Sequence, residues 1–232
     1  MQVVILAGGL GTRLGPLTAQ LPKALIPVLG KPFLAHVIAL LRSHGLTRLL
    51  VLHGHHGDQL ERAFGDGSAL GVELKYRHDG PMLLGTGGAL RGALDLLEEE
   101  LFVLYGDTYL DIDYGAVAQA FRASGKPALM TVFHNGGQFD TSNVLFRDGE
   151  LLRYSKRDRT PEMDFIDYGL AALKREIIAE LPAGEPQDLA ELYSRLVTER
   201  RMVGFEVFRR FYEIGTPAGL AETERYLDAR RV

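Results

Sequence analysis

The chain of 232 residues contains no cysteine, which excludes disulfides, thiolate metal sites and catalysis by a thiol. Acidic and basic residues are interspersed at a formal net charge of -4, and no basic stripe indicates a nucleic-acid partner. No apolar run approaches the roughly 20 residues that span a bilayer. Because the net charge is negative, an anionic ligand would have to be held by a few local cations and a metal.

The N-terminus lacks the basic and apolar segments that are typical of a secretory signal. We therefore expect a soluble, cytoplasmic protein with no membrane partner and no nucleic-acid partner. Hydrophobic residues make up 46% of the chain, which is enough to form a full core. We expect a single domain over residues 1–232.

In the first half of the chain, strand-like patterns alternate with helical ones. The strand-like runs are Gln2–Leu6, Arg48–His53, Val72–Tyr76, Leu101–Tyr105 and Ala128–Phe133. Pro32 opens a helical segment that Gly45 ends, and Asp113 is expected to cap a helix at Tyr114–Ala123. This order predicts an α/β fold, in which a mostly parallel sheet is covered by helices on both faces as a three-layer sandwich.

The second half of the chain is less regular. Thr141–Phe146 and Glu150–Tyr154 flank Arg147-Asp148-Gly149, which predicts a hairpin. Further patterns predict helices at Leu189–Arg200 and Pro217–Arg230. We interpret the later strands as a lid or substrate subdomain of the same domain.

A glycine-rich turn follows the first strand, in the order Ala7-Gly8-Gly9-Leu10-Gly11-Thr12-Arg13. Glycines let backbone N–H groups approach phosphate oxygens closely, and the guanidinium of Arg13 can grip two such oxygens. Lys23 adds a point charge. The turn is neither a Walker A loop, which needs Gly-Lys-Ser/Thr, nor a dinucleotide fingerprint, which needs glycine or alanine in place of Leu14. The alternative is a tight connection between elements with surface cations.

Together with Pro16-Leu17-Thr18 and Pro22-Lys23, this turn resembles the signature of the sugar nucleotidyltransferases, also called nucleoside-diphosphate-sugar pyrophosphorylases. The resemblance implies a Rossmann-like, GT-A-like fold. It also implies transfer of a nucleotidyl group from a nucleoside triphosphate to a sugar 1-phosphate. Arg13 and Lys23 would be catalytic. The nucleotide-binding residues would be Leu6, Ala7, Gly8, Gly9, Gly11, Thr12 and Arg13.

Three later segments extend the resemblance. Leu84–Ala89 resembles a family segment that places Gly85 and Thr86 against the nucleotide, although Thr86 could instead cap a helix. The apolar strand before Gly106-Asp107 implies that Asp107 is a catalytic ligand of Mg²⁺. In Phe211–Pro217, Glu213 stands where the family has a second metal-binding aspartate. We interpret the nearby Asp111 as a solvated loop acid.

The sugar end of the family site is matched by shorter elements. Asn143, Lys156, Asp167 and Gly169 stand where the family contacts the sugar and its phosphate, and Asp167 replaces the more common asparagine. The alternative for Lys156 is a solvated charge run, Lys156–Arg159. The resemblance thus divides the chain into a nucleotide-binding part, about 1–135, and a sugar-phosphate-binding part, about 136–232.

Within the family, the compact length and the segment Tyr212–Pro217 look most like bacterial heptose-1-phosphate guanylyltransferases, with amino-sugar uridylyltransferases next. Such enzymes imply nucleotide-sugar biosynthesis for cell-surface polysaccharide. No acyltransferase repeat follows Val232, so we expect a stand-alone transferase. The alternatives are a molybdopterin-type guanylyltransferase and a non-catalytic sensor of nucleotide sugars. The sequence leaves open the base, the sugar and the oligomeric state, a homo-oligomer included.

Overall fold

A computed structural model of the chain describes residues 1–9, 14, 20–54, 56–80 and 84–230. The strands are β1 (Gln2–Leu6), β2 (Pro27–Val28), β3 (Lys31–Pro32), β4 (Arg48–His53), β5 (Glu73–His78), β6 (Glu100–Tyr105), β7 (Thr108–Tyr109), β8 (Ala128–His134), β9 (Val144–Arg147), β10 (Glu150–Tyr154), β11 (Phe165–Lys174), β12 (Met202–Val207) and β13 (Tyr212–Glu213). The helices are α1 (Phe33–Ser43), α2 (Asp58–Phe64), α3 (Gly85–Gly92), α4 (Tyr114–Ser124), α5 (Arg175–Ala179), α6 (Leu189–Thr198) and α7 (Pro217–Asp228).

The chain forms two compact units. The first comprises Met1–Met82, Leu104–Asp111 and Phe211–Val232, and the second comprises Leu83–Val103 and Ile112–Arg210. Strand β6 contributes residues to each unit. Among the described residues, no helix is long and apolar enough to cross a membrane.

Parallel pairing dominates the first unit, where the strand order is β6-β1-β4-β5. β4 pairs in parallel with both β1 and β5. All five residues of β1 are buried, as expected for a parallel strand that is covered on both faces. Helix α1 buries Phe33, Val37 and Leu41 along one stripe. The prediction of a mostly parallel α/β fold is confirmed here.

The second unit mixes the two pairing modes. β8 pairs in parallel with β12 and antiparallel with β11, and β9 pairs antiparallel with β10 and β11. The hairpin predicted at residues 147–149 is confirmed, with Asp148 and Gly149 at φ 50° and 82°. Two successive positive φ values suit the tight turn that joins right-twisted strands.

The predicted helix boundaries hold best where a cap defines them. Asp113 accepts a hydrogen bond from Ala116 N at 2.9 Å and begins α4, as predicted, and Gly125 at φ 65° ends it. By contrast, α3 begins at Gly85 without a side-chain cap bond and ends at Gly92. A separate 3-10 turn, Leu94–Leu96, follows it.

Candidate active site

In the first unit, Gly8, which follows β1, lies against Asp79 at the end of β5. Ala7 N donates to Leu52 O at 2.7 Å, which carries the parallel ladder one residue beyond β1. A Cβ added at Gly8 would lie 2.4 Å from Asp79 Oδ2, so a larger residue there would displace the Asp79 carboxylate. This is the carboxyl end of a parallel strand, where open α/β sheets place ligands. The predicted nucleotide-binding residues Gly11, Thr12 and Arg13 lie outside the described residues.

Asp79 was not singled out from the sequence. Its Oδ1 is buried and has no hydrogen-bond partner among the described residues. Burial raises the pKa of Asp79, while His53 and His78 act in the opposite direction. A buried carboxylate oxygen without a donor lowers the stability of the fold. Groups that lower stability in this way are typical of functional sites.

Lys23 and Asp107, which are separated by 84 residues in sequence, are in direct contact. Lys23 Nζ donates to Asp107 Oδ2 at 2.7 Å, and the two side chains are 14% and 28% exposed. Gly106 allows this placement, because a Cβ there would lie 3.2 Å from that of Ala7. Gly106 N also donates to Leu6 O at 2.9 Å. The predicted cation and carboxylate are therefore held together beside the turn after β1.

Glu213 lies on β13, which pairs antiparallel with β7 so that Glu213 is opposite Thr108. Ile214 N donates to Asp107 O at 3.0 Å, which joins the two acidic segments. Thr223 Oγ1 donates to Glu213 O at 3.1 Å. The backbone that carries Glu213 is therefore fixed next to the segment that carries Asp107.

Asp107 and Glu213 both carry carboxylates, the ligand type that suits Mg²⁺. This ion is commonly bound by one or two carboxylates together with phosphate oxygens of the substrate. Within the described part of the chain, no group of three or more His, Cys, Asp or Glu side chains could hold a metal. Asp107 and Glu213 would therefore need phosphate oxygens to complete the coordination.

Asp111 is not the solvated loop acid that the sequence indicated. It is 9% exposed, and it accepts hydrogen bonds from Tyr226 OH at 2.5 Å and from Arg230 Nη1 at 2.6 Å. Tyr226 also stacks on Tyr212, with ring centroids 3.9 Å apart. The interpretation was wrong because α7, which is distant in sequence, covers Asp111. These contacts hold α7 beside the strand that carries Glu213.

In the second unit, the glycines of residues 84–88 face the backbone of residues 185–187. Gly87 N and Gly88 N donate to Gln187 O at 2.8 and 3.2 Å. A Cβ added at Gly85 would lie 2.6 Å from the same oxygen. Because residues 185–187 approach so closely, residues 85, 87 and 88 have to be small. The role of Gly85 in nucleotide binding stays a prediction.

Thr86 has partners at the start of α6. Its Oγ1 accepts a hydrogen bond from Leu189 N at 2.9 Å and donates to Asp188 Oδ1 at 3.2 Å. The alternative expectation, a cap on its own helix, is wrong because Leu84 occupies the cap position of α3 and makes no side-chain cap bond. Contact between Thr86 and a nucleotide stays a prediction.

The four residues predicted for the sugar end come together in the second unit. Asp167 N donates to Asn143 Oδ1 at 2.9 Å, and Gly169 N donates to Asp167 Oδ1 at 3.0 Å. Burial raises the pKa of Asp167, and the charge of Lys156 acts in the opposite direction. Lys156 itself is exposed. The cluster thus combines amide, carboxylate and ammonium groups.

Tyr154 belongs to this cluster and was missed by the sequence analysis. Its hydroxyl donates to Asp167 Oδ2 at 3.3 Å, and its side chain is almost fully buried. Its position on β10 was predicted, but only the pairing of β9 with both β10 and β11 brings it to Asp167.

Comparisons with known proteins show the family of the chain. A family model described as "Nucleotidyl transferase" matches residues 2–140. An N-acetylmuramate alpha-1-phosphate uridylyltransferase from Neisseria meningitidis is 30% identical over 229 residues, which cover 97% of each chain. A UTP–glucose-1-phosphate uridylyltransferase from Synechocystis is 29% identical over 214 residues. That match covers 85% of this chain but only 55% of the relative.

The fold also has counterparts among solved structures. The inositol-1-phosphate CTP transferase from T. maritima superimposes with a TM-score of 0.81 at 20% identity. The match covers 98% of this chain and 94% of that one. At this identity the likeness concerns the fold.

Proposed function

Because the chain belongs to the nucleotidyl transferase family, we propose that it transfers a nucleotidyl group from a nucleoside triphosphate to a sugar 1-phosphate and releases pyrophosphate. The contact between Lys23 and Asp107 carries this proposal. It places a cation and a potential metal ligand beside the turn after β1. Such a pair suits polyphosphate chemistry.

The reaction would need little acid-base help from the protein. A phosphate oxygen of the sugar 1-phosphate attacks the α-phosphorus, and the bond from the α-phosphorus to the bridging oxygen breaks as pyrophosphate leaves. The second pKa of a phosphate monoester is about 6, so the nucleophile is already anionic near neutral pH. This agrees with a site of cations and carboxylates that requires no general base.

The chain's contribution is then to position and to balance charge. Lys23 fixes the Asp107 carboxylate in one orientation, and Arg13 would stabilise charge on the departing pyrophosphate. Asp107 and Glu213 would hold Mg²⁺, which when bound neutralises charge on phosphate oxygens.

The cluster in the second unit suits a phosphorylated sugar. Asn143 uses its Oδ1 to accept from Asp167 N, which leaves Nδ2 to donate to a sugar oxygen. Asp167 can accept from a hydroxyl, and the exposed ammonium of Lys156 can meet the phosphate. We assign these residues, with Gly169, to sugar-phosphate binding, and Leu6, Ala7, Gly8 and Gly9 to the triphosphate.

A matrix of nucleoside triphosphates against sugar 1-phosphates, read by pyrophosphate release with Mg²⁺ present, tests the proposal. We expect at least one pair to react, and the isosteric variant Asp107→Asn to abolish most of that signal. Absence of release with every pair would overturn the proposal. Binding of a nucleotide sugar without any turnover would favour a sensor, and turnover with a pterin acceptor alone would favour the molybdopterin-type alternative.

A further inference from the structure

The Asp167 carboxylate projects from an irregular part of β11. The pairing of β11 with β8 shifts register between Asp167 and Ala171, and Gly169 adopts φ 100°, a conformation that side chains disfavour. Such interruptions re-aim side chains and are frequent next to active sites. Here the interruption lets Gly169 N reach back to Asp167 Oδ1.

Within the part of the chain that the structure describes, each oxygen of this carboxylate has one protein donor. Oδ1 accepts from Gly169 N at 3.0 Å, and Oδ2 accepts from Tyr154 OH at 3.3 Å. Both donors are uncharged. Because a carboxylate oxygen can accept two hydrogen bonds, each oxygen keeps a site for a ligand hydroxyl.

The surroundings of Asp167 leave few groups that could control its charge. Tyr154, the last residue of β10, and Lys156, two residues after it, both act on Asp167. On β8 the paired residue is Val132, and the segment before β9 contributes Asn143, neither of which titrates. Burial raises the pKa of Asp167, while Gly169 N, Lys156 and Tyr154 OH lower it.

The hydroxyl of Tyr154 is separable from the packing of its ring. The ring is 2% exposed and lies 6.2 Å, centroid to centroid, from that of Tyr193. The backbone oxygen of Tyr154 accepts from Ser194 Oγ at 3.0 Å. A phenylalanine would keep the ring and the backbone contact and would lose the bond to Asp167.

We propose that Tyr154 is a positioning residue, which orients the Asp167 carboxylate to accept a hydrogen bond from a hydroxyl of the sugar substrate. This inference rests on the proposed function, because it names the part of the substrate that Asp167 recognises. It assigns to Tyr154 a role in sugar affinity and none in the nucleotidyl transfer itself.

The test compares the wild type with Tyr154→Phe, Asp167→Asn and the double variant over pH 5 to 8. We expect Tyr154→Phe to raise the KM for the sugar 1-phosphate several-fold, with kcat and the KM for the triphosphate unchanged. The acid limb of kcat/KM for the sugar 1-phosphate should move up by about one pH unit. In the Asp167→Asn background this movement should vanish, since no carboxyl is left to titrate.

Two features of the design separate this role from a structural one. The phosphate of the substrate titrates near pH 6 in all four proteins, so it cancels in the comparison. Tyr193→Phe, which removes the hydroxyl of the neighbouring buried tyrosine, should leave the KM for the sugar 1-phosphate unchanged. An effect of Tyr154→Phe that is independent of pH, or equal in both backgrounds, would overturn the proposal.

A substrate-free readout keeps the inference distinct from the proposed function. With ¹³C-labelled aspartate carboxyls, the resonance that is missing in Asp167→Asn should titrate at higher pH in Tyr154→Phe than in the wild type. An unchanged titration refutes the proposal whatever the substrate is. Failure of the wild type to use any sugar 1-phosphate would count against the proposed function, while this titration would still decide whether Tyr154 controls Asp167.

Discussion

The two units hold their acidic residues in different ways. In the first unit, Asp107 is paired with an ammonium at 2.7 Å. In the second, Asp167 is held by a backbone amide and a phenol, with the exposed Lys156 as the nearby cation. A fixed pair of opposite charges suits the handling of phosphate charge, whereas neutral donors leave a carboxylate free to recognise hydroxyls. Under the proposed function, this contrast assigns charge handling to the first unit and recognition of the sugar to the second.

Despite this difference, each acid depends on a glycine within two residues of it. Gly106 lets Asp107 approach β1, since a Cβ there would meet Ala7 at 3.2 Å. Gly169 turns back on Asp167 through a positive φ. Both acids are therefore positioned by backbone geometry that longer residues would disturb.

The largest expected effect tests the charged side of the contrast. Asp107→Asn should lower kcat by about 10²–10³, because one preorganised charge is lost while the fold survives. The sequence resemblance predicts the same loss for Arg13→Ala. Steady-state kinetics with saturating substrates measure it, and Asp113→Asn is the matched control, since asparagine also caps a helix well. Near-normal turnover in Asp107→Asn would remove Asp107 from the mechanism.

Lys156→Met tests the recognition side. We expect the KM for the sugar 1-phosphate to rise about tenfold with little change in kcat, as for the loss of one charge-assisted contact to phosphate. The neighbouring exposed Arg157→Met serves as the control and should leave the KM unchanged. If Lys156→Met instead lowers kcat as strongly as Asp107→Asn does, the two units do not divide the work in this way.

Tyr226→Phe tests whether α7 supports the strand that carries Glu213. Loss of the hydrogen bond to Asp111 should lower the free energy of unfolding by about 1–2 kcal/mol. It should also raise the Mg²⁺ concentration needed for half-maximal activity, because α7 anchors the strand of Glu213. Urea unfolding and Mg²⁺ titration measure these effects. Tyr76→Phe, which loses a bond to Gly65 O in the same unit, should leave the Mg²⁺ requirement unchanged. An equal rise there would contradict the assignment.

The smallest effect concerns stability against pH. Burial raises the pKa of Asp79 above its ordinary 3.8, so the folded state binds this proton more tightly than the unfolded state does. The free energy of unfolding therefore falls as the pH rises from about 3.8 through the raised pKa of the folded state. At pH 7, Asp79→Asn should be more stable than the wild type. Asp66 is the control with the opposite sign, because hydrogen bonds from Ser68 lower its pKa. Asp66→Asn should be less stable than the wild type at pH 7. Denaturant unfolding at pH 3 and pH 7 measures the change in stability for each variant and shows whether the two changes have opposite signs.

Sequence reasoning succeeded where the signal is local or shared with a family. The Asp113 cap and the Asp148-Gly149 turn follow from side-chain and φ preferences of a few consecutive residues. The glycine-rich signature predicted the transferase family because it is long and specific. Asp79 and Tyr154 carried no such signal, since an acid after one strand and an aromatic residue on another are common.

The sequence by itself determined the α/β order of elements, the family and the chemical types of the site residues. Only the tertiary structure decided that Lys23 contacts Asp107, that α7 buries Asp111, that Thr86 binds the start of α6 and that Tyr154 reaches Asp167. The physical reason is the range of the interactions. Periodicity, caps and turns act within a few residues, whereas these contacts depend on strand pairing and packing between segments that are 13 to 115 residues apart.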